Sequence, residues 1–447
     1  MLRLLYLKAR FGHPHPLTGL HYFFTSLIKR NAMIVENVDV LVIGAGPSGS
    51  VAAAMVKQAG FNVKMVEKIK FPRFVIGESL LPRCMEALEA AGFLPALEAR
   101  GFQQKFGAKF VKGDQVADFD FSNKFTEGWS QTWQVPRADF DQVLAEEVQR
   151  MGVPVEFETE VTGITFDGTD SATRVTLPDG SEKEIRARFI IDASGYGRVI
   201  PRLFQLDRPS NLPGRKTMFA HFEDPNRFLF DEPNRITVIS HRPDVWVWVI
   251  PFSTGKTSVG FVANPSFFEE FSGSPEEQLR AIIQSNDYTN QRFGDSAFVF
   301  EPRTLEGWSV TTDRFFGDGF VLTGNVTEFL DPIFSSGVTL ATVSGHKAAT
   351  LVCRQLRGET IDWQREYVEP TQQGVNTFRS YVMGWYDGSL QDIIFAPNPD
   401  PEIKKQICSV LAGYVWDQNN PFVRQHGRVL RPLANIIRME AEVGAGR

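Results

Sequence analysis

Val38-Asp39-Val40-Leu41-Val42-Ile43-Gly44-Ala45-Gly46-Pro47-Ser48-Gly49 is followed by a helix-compatible stretch from Ser50 to Gly60 and a second β-like run, Asn62 to Val66, that ends at Glu67. The order is strand, glycine turn, helix, strand, with glycine at every position of G-x-G-x-x-G and an acid 18 residues after the last of them. Each residue type has a mechanical reason. Gly44 makes the tight turn, Gly46 lets backbone approach a pyrophosphate, and Gly49 lets the helix lie close on the sheet. Pro47 and Ser48 sit where the helix opens and its free N–H groups face the phosphates, while Glu67 is placed to accept ribose hydroxyls. The stretch predicts a dinucleotide site at the head of a doubly wound α/β sheet.

Outward from it, 447 residues with 43% apolar content are enough for a full core and long for one simple domain, so two interleaved domains are expected. A net charge of −6 argues against a nucleic-acid-binding surface. The three cysteines, Cys84, Cys353 and Cys408, are odd in number and widely spaced, so neither a disulfide framework nor a metal site is expected. A reducing cytoplasm fits that usage. No run approaches the roughly 18 uninterrupted apolar residues of a membrane span. Arg3, Lys8, Arg10, Lys29 and Arg30, together with Pro14 and Pro16, break up the apolar stretches of the first 32 residues, unlike a cleavable secretory signal, and since Met33 immediately precedes the first strand, residues 1–33 are expected to be an extension outside the fold or the product of a start codon assigned too early.

After Glu67 a turn-rich segment carries Arg73, placed to meet an anionic cofactor, and Glu78, read as a local capping or hydrogen-bonding residue; a helix is expected at about Arg83 to Ala91. Lys105 falls among aromatics in Phe102-Gln103-Gln104-Lys105-Phe106, where a lysine ordinarily snorkels to water. Val111 to Trp133 alternates like antiparallel strands, and a helix from near Arg137 runs to about Met151. Asp192-Ala193-Ser194-Gly195 returns the chain to the first sheet with small residues that admit a cofactor. Residues 201–300 read as a second, mostly antiparallel sheet. Within it Trp246 and Trp248 are two apart on a strand and share a face as a rigid aromatic wall. Phe320 to Asn325 is a buried strand ending in a loop, a helix is expected from Val338 to Arg357, and the chain is mainly helical from Glu366 onward.

Four of these stretches together resemble the flavin-dependent halogenases. They are the glycine motif; W-x-W-x-I-P at Trp246, Trp248, Ile250 and Pro251; F-x-x-P-x-x-S-x-G at Phe329, Pro332, Ser335 and Gly337; and the segment around Lys105, similar to the one that carries the family's lysine. The resemblance spans residues 38–337. It implies an FAD site formed by Gly44, Gly46, Pro47, Ser48, Gly49, Glu67, Arg73, Arg137, Asp192, Gly324 and Asn325. It further implies Lys105 and Ser335 as catalytic residues, halide held by the N–H groups of Ser336 and Gly337, and a substrate tunnel of Trp246, Trp248, Ile250, Pro251, Phe329, Pro332 and Phe334.

The implied reaction uses FADH2, O2 and chloride or bromide to make hypohalous acid, which Lys105 positions or carries to an electron-rich aromatic ring. A separate flavin reductase is the implied partner, since the chain shows no second G-x-G-x-x-G. Two departures matter. Ile333-Phe334 stand where the free-tryptophan enzymes have a glutamate, which points to the phenolic or pyrrolic branch, with the substrate free or tethered to a carrier protein. Asn325 stands where related hydroxylases have Asp.

The expected architecture is an FAD-binding, doubly wound, Rossmann-like domain of the glutathione reductase/hydroxylase type (34–110, 134–200 and 301–357). An antiparallel-sheet substrate domain (111–133 and 201–300) is inserted in it, and 358–447 form a helical C-terminal region. The rival readings are an NADPH-using hydroxylase or isoprenoid reductase of the same fold, and an FAD-binding protein without turnover.

Overall fold

The computed structural model describes residues 33–210 and 212–445. The extension expected over 1–33 lies outside the described residues except for Met33.

The Ile34–Ile43 strand is the axis of the first sheet, with Val40, Leu41, Val42 and Ile43 almost wholly buried, as a parallel strand covered on both faces requires. Parallel neighbours flank it: Glu182–Asp192 and then Phe320–Leu322 on one side, Val63–Val66 and then Val155–Glu156 on the other. The Pro47–Gln58 helix connects the first two strands. It packs through Val51, Ala52, Ala53 and Ala54, whose small size brings it close to the sheet and to the Ser336–Leu356 helix.

The second sheet has seven strands in the order 303–306, 216–223, 256–263, 245–251, 237–242, 107–112, 115–120. Its two faces are separated by side-chain alternation. Val245, Val247 and Val249 pack against the Pro275–Gln284 and Asp287–Phe293 helices. Trp246, Trp248 and Ile250 face a core shared with the C-terminal helices through Phe378, Tyr381 and Trp385.

Three expectations are corrected. Residues 107–110 belong to the second sheet, not the first domain, because their strand, Gly107–Lys112, pairs in parallel with 237–239, a partner about 130 residues away that no local pattern reveals. Arg303–Glu306 likewise joins that sheet by pairing with 216–219. Residues 265–293 within the region read as sheet are largely helical; Ser274 opens one of these helices with a capping box to Glu277.

Candidate active site

A cleft of about 550 Å³ opens at the carboxyl ends of the parallel strands, the position open α/β sheets use for ligands. Gly44, Gly46, Pro47, Ser48, Glu67, Arg73, Arg137, Gly324 and Asn325 line it. Gly44 has φ +99°, and a Cβ there would lie 2.5 Å from the Ala193 carbonyl oxygen. At Gly49 a Cβ would lie 1.9 Å from the Gly44 oxygen, so only glycine lets helix and turn meet. At Gly46 the nearest atom would be Arg73 Nη2 at 3.6 Å, so this backbone is bare because it faces the cleft rather than because protein crowds it.

Glu67 accepts from Ala45 N–H (2.9 Å) and Ile69 N–H (2.9 Å), which fixes its carboxylate at the cleft and leaves lone pairs for hydroxyls. Arg137 forks onto Asp141 (2.8 and 3.1 Å) and donates to the Ile76 and Gly77 carbonyls (3.0 and 3.3 Å), holding the 76–79 segment at the rim. These residues fit FAD. Asp192 does not line the cleft: its buried carboxyl accepts from Ser194 and Ile200 N–H (3.0 and 2.8 Å), shaping the loop that does. Burial raises its pKa.

Lys105 is not a snorkelling lysine. The Gln103–Lys105 strand pairs with Thr132–Gln134, and this ribbon turns the side chain inward, where it is 2% exposed. Its amine donates to Ser79 Oγ (2.8 Å) and the Leu80 carbonyl (2.7 Å) and lies 5.5 Å from the Phe121 ring centre. Burial without a carboxylate partner lowers its pKa from 10.5 to about 7. Lys105 itself does not line the cleft, whereas Ser79 does, so the serine hydroxyl is the link between them.

Phe329, Pro332, Ser335 and Gly337 line the cleft; Phe334 and Ser336 do not. Phe334 instead packs edge-on against Tyr381 and Trp385. Ser335 is left-handed (φ +55°, ψ +26°), and this bend starts the Ser336–Leu356 helix with its first-turn N–H groups lacking intrahelical acceptors.

Trp246, Trp248, Ile250 and Pro251 are buried away from the cleft. Trp246 and Trp248 share a face at 6.0 Å between ring centres, and Gly260 is bare because a Cβ there would lie 2.2 Å from Trp248. A hydrogen-bond chain missed in the sequence ties this wall to the third motif. Trp246 Nε1–H donates to Tyr386 Oη (2.9 Å), and the Tyr386 hydroxyl donates to Asp331 Oδ2 (2.9 Å). Asp331 also caps Ile333 N–H (3.1 Å), and burial raises its pKa to about 6. Asp331-Pro332 is a turn-capping pair visible in the sequence, but its tyrosine partner, 55 residues on, is not.

Among the described residues there is no group of His, Cys, Asp and Glu suited to a metal, and no helix is long and apolar enough to cross a membrane.

The family model for an FAD-binding domain matches residues 37–364. The pyrrole-2-carbonyl peptidyl-carrier-protein brominase of Pseudoalteromonas luteoviolacea is 27% identical over 86% of this chain and 93% of its own. The sulochrin halogenase of Aspergillus terreus is 30% identical over 78% and 69%. A solved Cytophaga hutchinsonii structure, described as a flavoprotein/dehydrogenase, is 59% identical with a TM-score of 0.89, covering 91% of this chain and all of the other. Such coverage takes in the glycine turn, the tryptophan wall and the serine bend together, and the chain belongs to the flavin-dependent halogenases, enzymes that use FAD, O2 and halide.

Proposed function

We propose that this enzyme uses FADH2 and O2 to oxidise chloride or bromide to hypohalous acid and halogenates an electron-rich aromatic ring, most favourably a phenol, either free or on a carrier protein. Support for the ring class comes from Ile333-Phe334, which leave no carboxylate between Pro332 and Ser335, and from the carrier-bound pyrrole named for the Pseudoalteromonas relative. Bound reduced FAD supplies the electrons with which O2 is activated to oxidise halide.

The rest falls to the chain. First-turn N–H groups of Ser336 and Gly337 hold the halide, and the Ser335 bend sets where they point. The Trp246 and Trp248 wall keeps the ring away from the cleft. Lys105, its amine in the neutral range, receives the halogen behind Ser79 and presents it to the substrate. The observation that carries this reading is a buried lysine with no acid beside it, bonded to a serine of the cleft rim.

The test is a mass-spectrometric screen. Purified protein, a separate flavin reductase, NADH, FAD and chloride or bromide are incubated with phenols, pyrroles, indoles and a carrier-bound pyrrole. A halogenated product that depends on the reductase is expected. Oxygen gained in place of halogen, or substrate-stimulated NADPH oxidation without the reductase, would instead favour the hydroxylase or isoprenoid-reductase reading, which draws some support from the Cytophaga flavoprotein/dehydrogenase.

A further inference from the structure

Three short segments form one ribbon beside the cleft: Gln103–Lys105 pairs with Thr132–Gln134, and Ser79 bridges Gln134 on the other side. Backbone bonds on either side of Ser79, from Val135 N–H to the Glu78 carbonyl (2.7 Å) and from Leu80 N–H to the Trp133 carbonyl (3.1 Å), fix where its hydroxyl stands. The Lys105 side chain crosses the middle strand to reach it. Of the two groups that accept from Lys105, only Ser79 lines the cleft; Leu80 is wholly buried.

The hydrogen bonds at this point select one form of the amine. A neutral amine has two N–H bonds and one lone pair, and Lys105 has two acceptors, Ser79 Oγ at 2.8 Å and the Leu80 carbonyl at 2.7 Å. A third N–H would meet only the Phe121 ring, whose centre is 5.5 Å away. The lone pair is therefore uncommitted. A serine hydroxyl has one proton to give as well as lone pairs to receive with. Ser79 receives from Lys105, and its own O–H has no acceptor among the described residues.

We propose that Ser79 is a catalytic residue in halogen capture: it protonates the oxygen that leaves hypohalous acid and takes up the proton that Lys105 gives off. This rests on the reading above in which Lys105 receives the halogen. The Lys105 lone pair forms the N–halogen bond as the halogen–oxygen bond breaks. The Ser79 proton passes to the departing oxygen, which leaves as water, and a Lys105 N–H proton passes to Ser79 Oγ. The halogen keeps its oxidation level, the serine ends as it began, and nitrogen, proton, Oγ, proton, oxygen and halogen close a six-atom ring in which no charge separates. Without the relay, the same attack would leave a hydroxide and a cationic haloamine in a buried site, which desolvation penalises.

The test needs no organic substrate. The full chain, loaded with photoreduced FAD, is mixed with oxygenated chloride or bromide and with taurine to sweep up released oxidant, then desalted, and protein-bound halogen is read by its oxidation of thionitrobenzoate. The signal missing in Lys105→Met is the Lys105 haloamine. Ser79→Ala is expected to slow its formation by about 100-fold, the lower end of an acid–base contribution, and Ser79→Thr, which keeps the hydroxyl, to restore it. In mixtures of light and heavy water the wild-type rate is expected to curve with deuterium content, as two protons moving together require, and the Ser79→Ala rate to fall on a straight line.

Haloamine formed by Ser79→Ala at the wild-type rate, or a wild-type rate linear in deuterium content, would overturn the relay and leave Lys105 as the halogen carrier. Should Ser79→Ala fail to fold, the wild-type deuterium series decides alone. Bound halogen undiminished in Lys105→Met would overturn the relay together with the reading it rests on.

Discussion

At Lys105 the pattern of neighbouring aromatics suggests one environment and the structure shows another. The residue type and its sequence neighbours are compatible with a stem lying on rings and an amine in water; what reverses this is the Leu80 carbonyl and Ser79 hydroxyl, supplied by a segment 25 residues earlier. Burial takes the amine from 10.5 to about 7, so it is protonated below pH 7 and carries a free lone pair above. Halogen transfer in a single turnover should therefore rise with pH through about 7 and level off, and Lys105→Met should abolish product while flavin-driven O2 consumption continues. Retention of a tenth of the product, about 1.4 kcal/mol of lost barrier stabilisation, would remove Lys105 from the reaction. The same displacement has a stability consequence. Between pH 7 and 10.5 the unfolded chain holds a proton the folded chain lacks, so stability rises with pH across that window. Lys105→Met should remove that slope in denaturant titrations.

Among the elements, the strand–turn–helix unit was fully legible because its glycine spacing is local, whereas residues 107–110 were misplaced because the partner of their strand is remote. The two kinds of glycine constraint separate experimentally. Gly49→Ala drives a methyl into the Gly44 carbonyl and should cost about 3 kcal/mol of folding stability as overpacking. Gly46→Ala meets nothing closer than 3.6 Å and should leave the apoprotein's melting temperature nearly unchanged while weakening FAD binding by fluorescence titration. The Asp331 turn is the element that joins wall to bend. Asp331→Ala leaves the Tyr386 hydroxyl and Ile333 N–H without acceptors, and a loss of about 1–3 kcal/mol in chemical denaturation is expected for such orphaned groups.

Across the whole molecule, the C-terminal helices and the tryptophan face of the second sheet share one apolar core, while the parallel sheet and its helices form another. The glycine-lined cleft belongs to the parallel sheet. FAD at 100 times its dissociation constant should raise unfolding stability by about 2.7 kcal/mol, readable as a shift in melting temperature that Gly46→Ala diminishes. The architecture class could be read from alternation and glycine placement. The contacts that join its parts, Glu78 with His221 and Asp331 with Tyr386, link residues 143 and 55 positions apart and are set only by packing. One consequence follows from Lys105 standing behind Ser79 rather than in the cleft wall. If Lys105 carries the halogen as proposed, oxidant is generated in the cleft and consumed beyond it with the Ser79 hydroxyl as the doorway, and the enzyme would have a leak as well as a rate. Moles of halogenated ring per mole of O2 will measure how tight that doorway is, independently of how fast either stage runs.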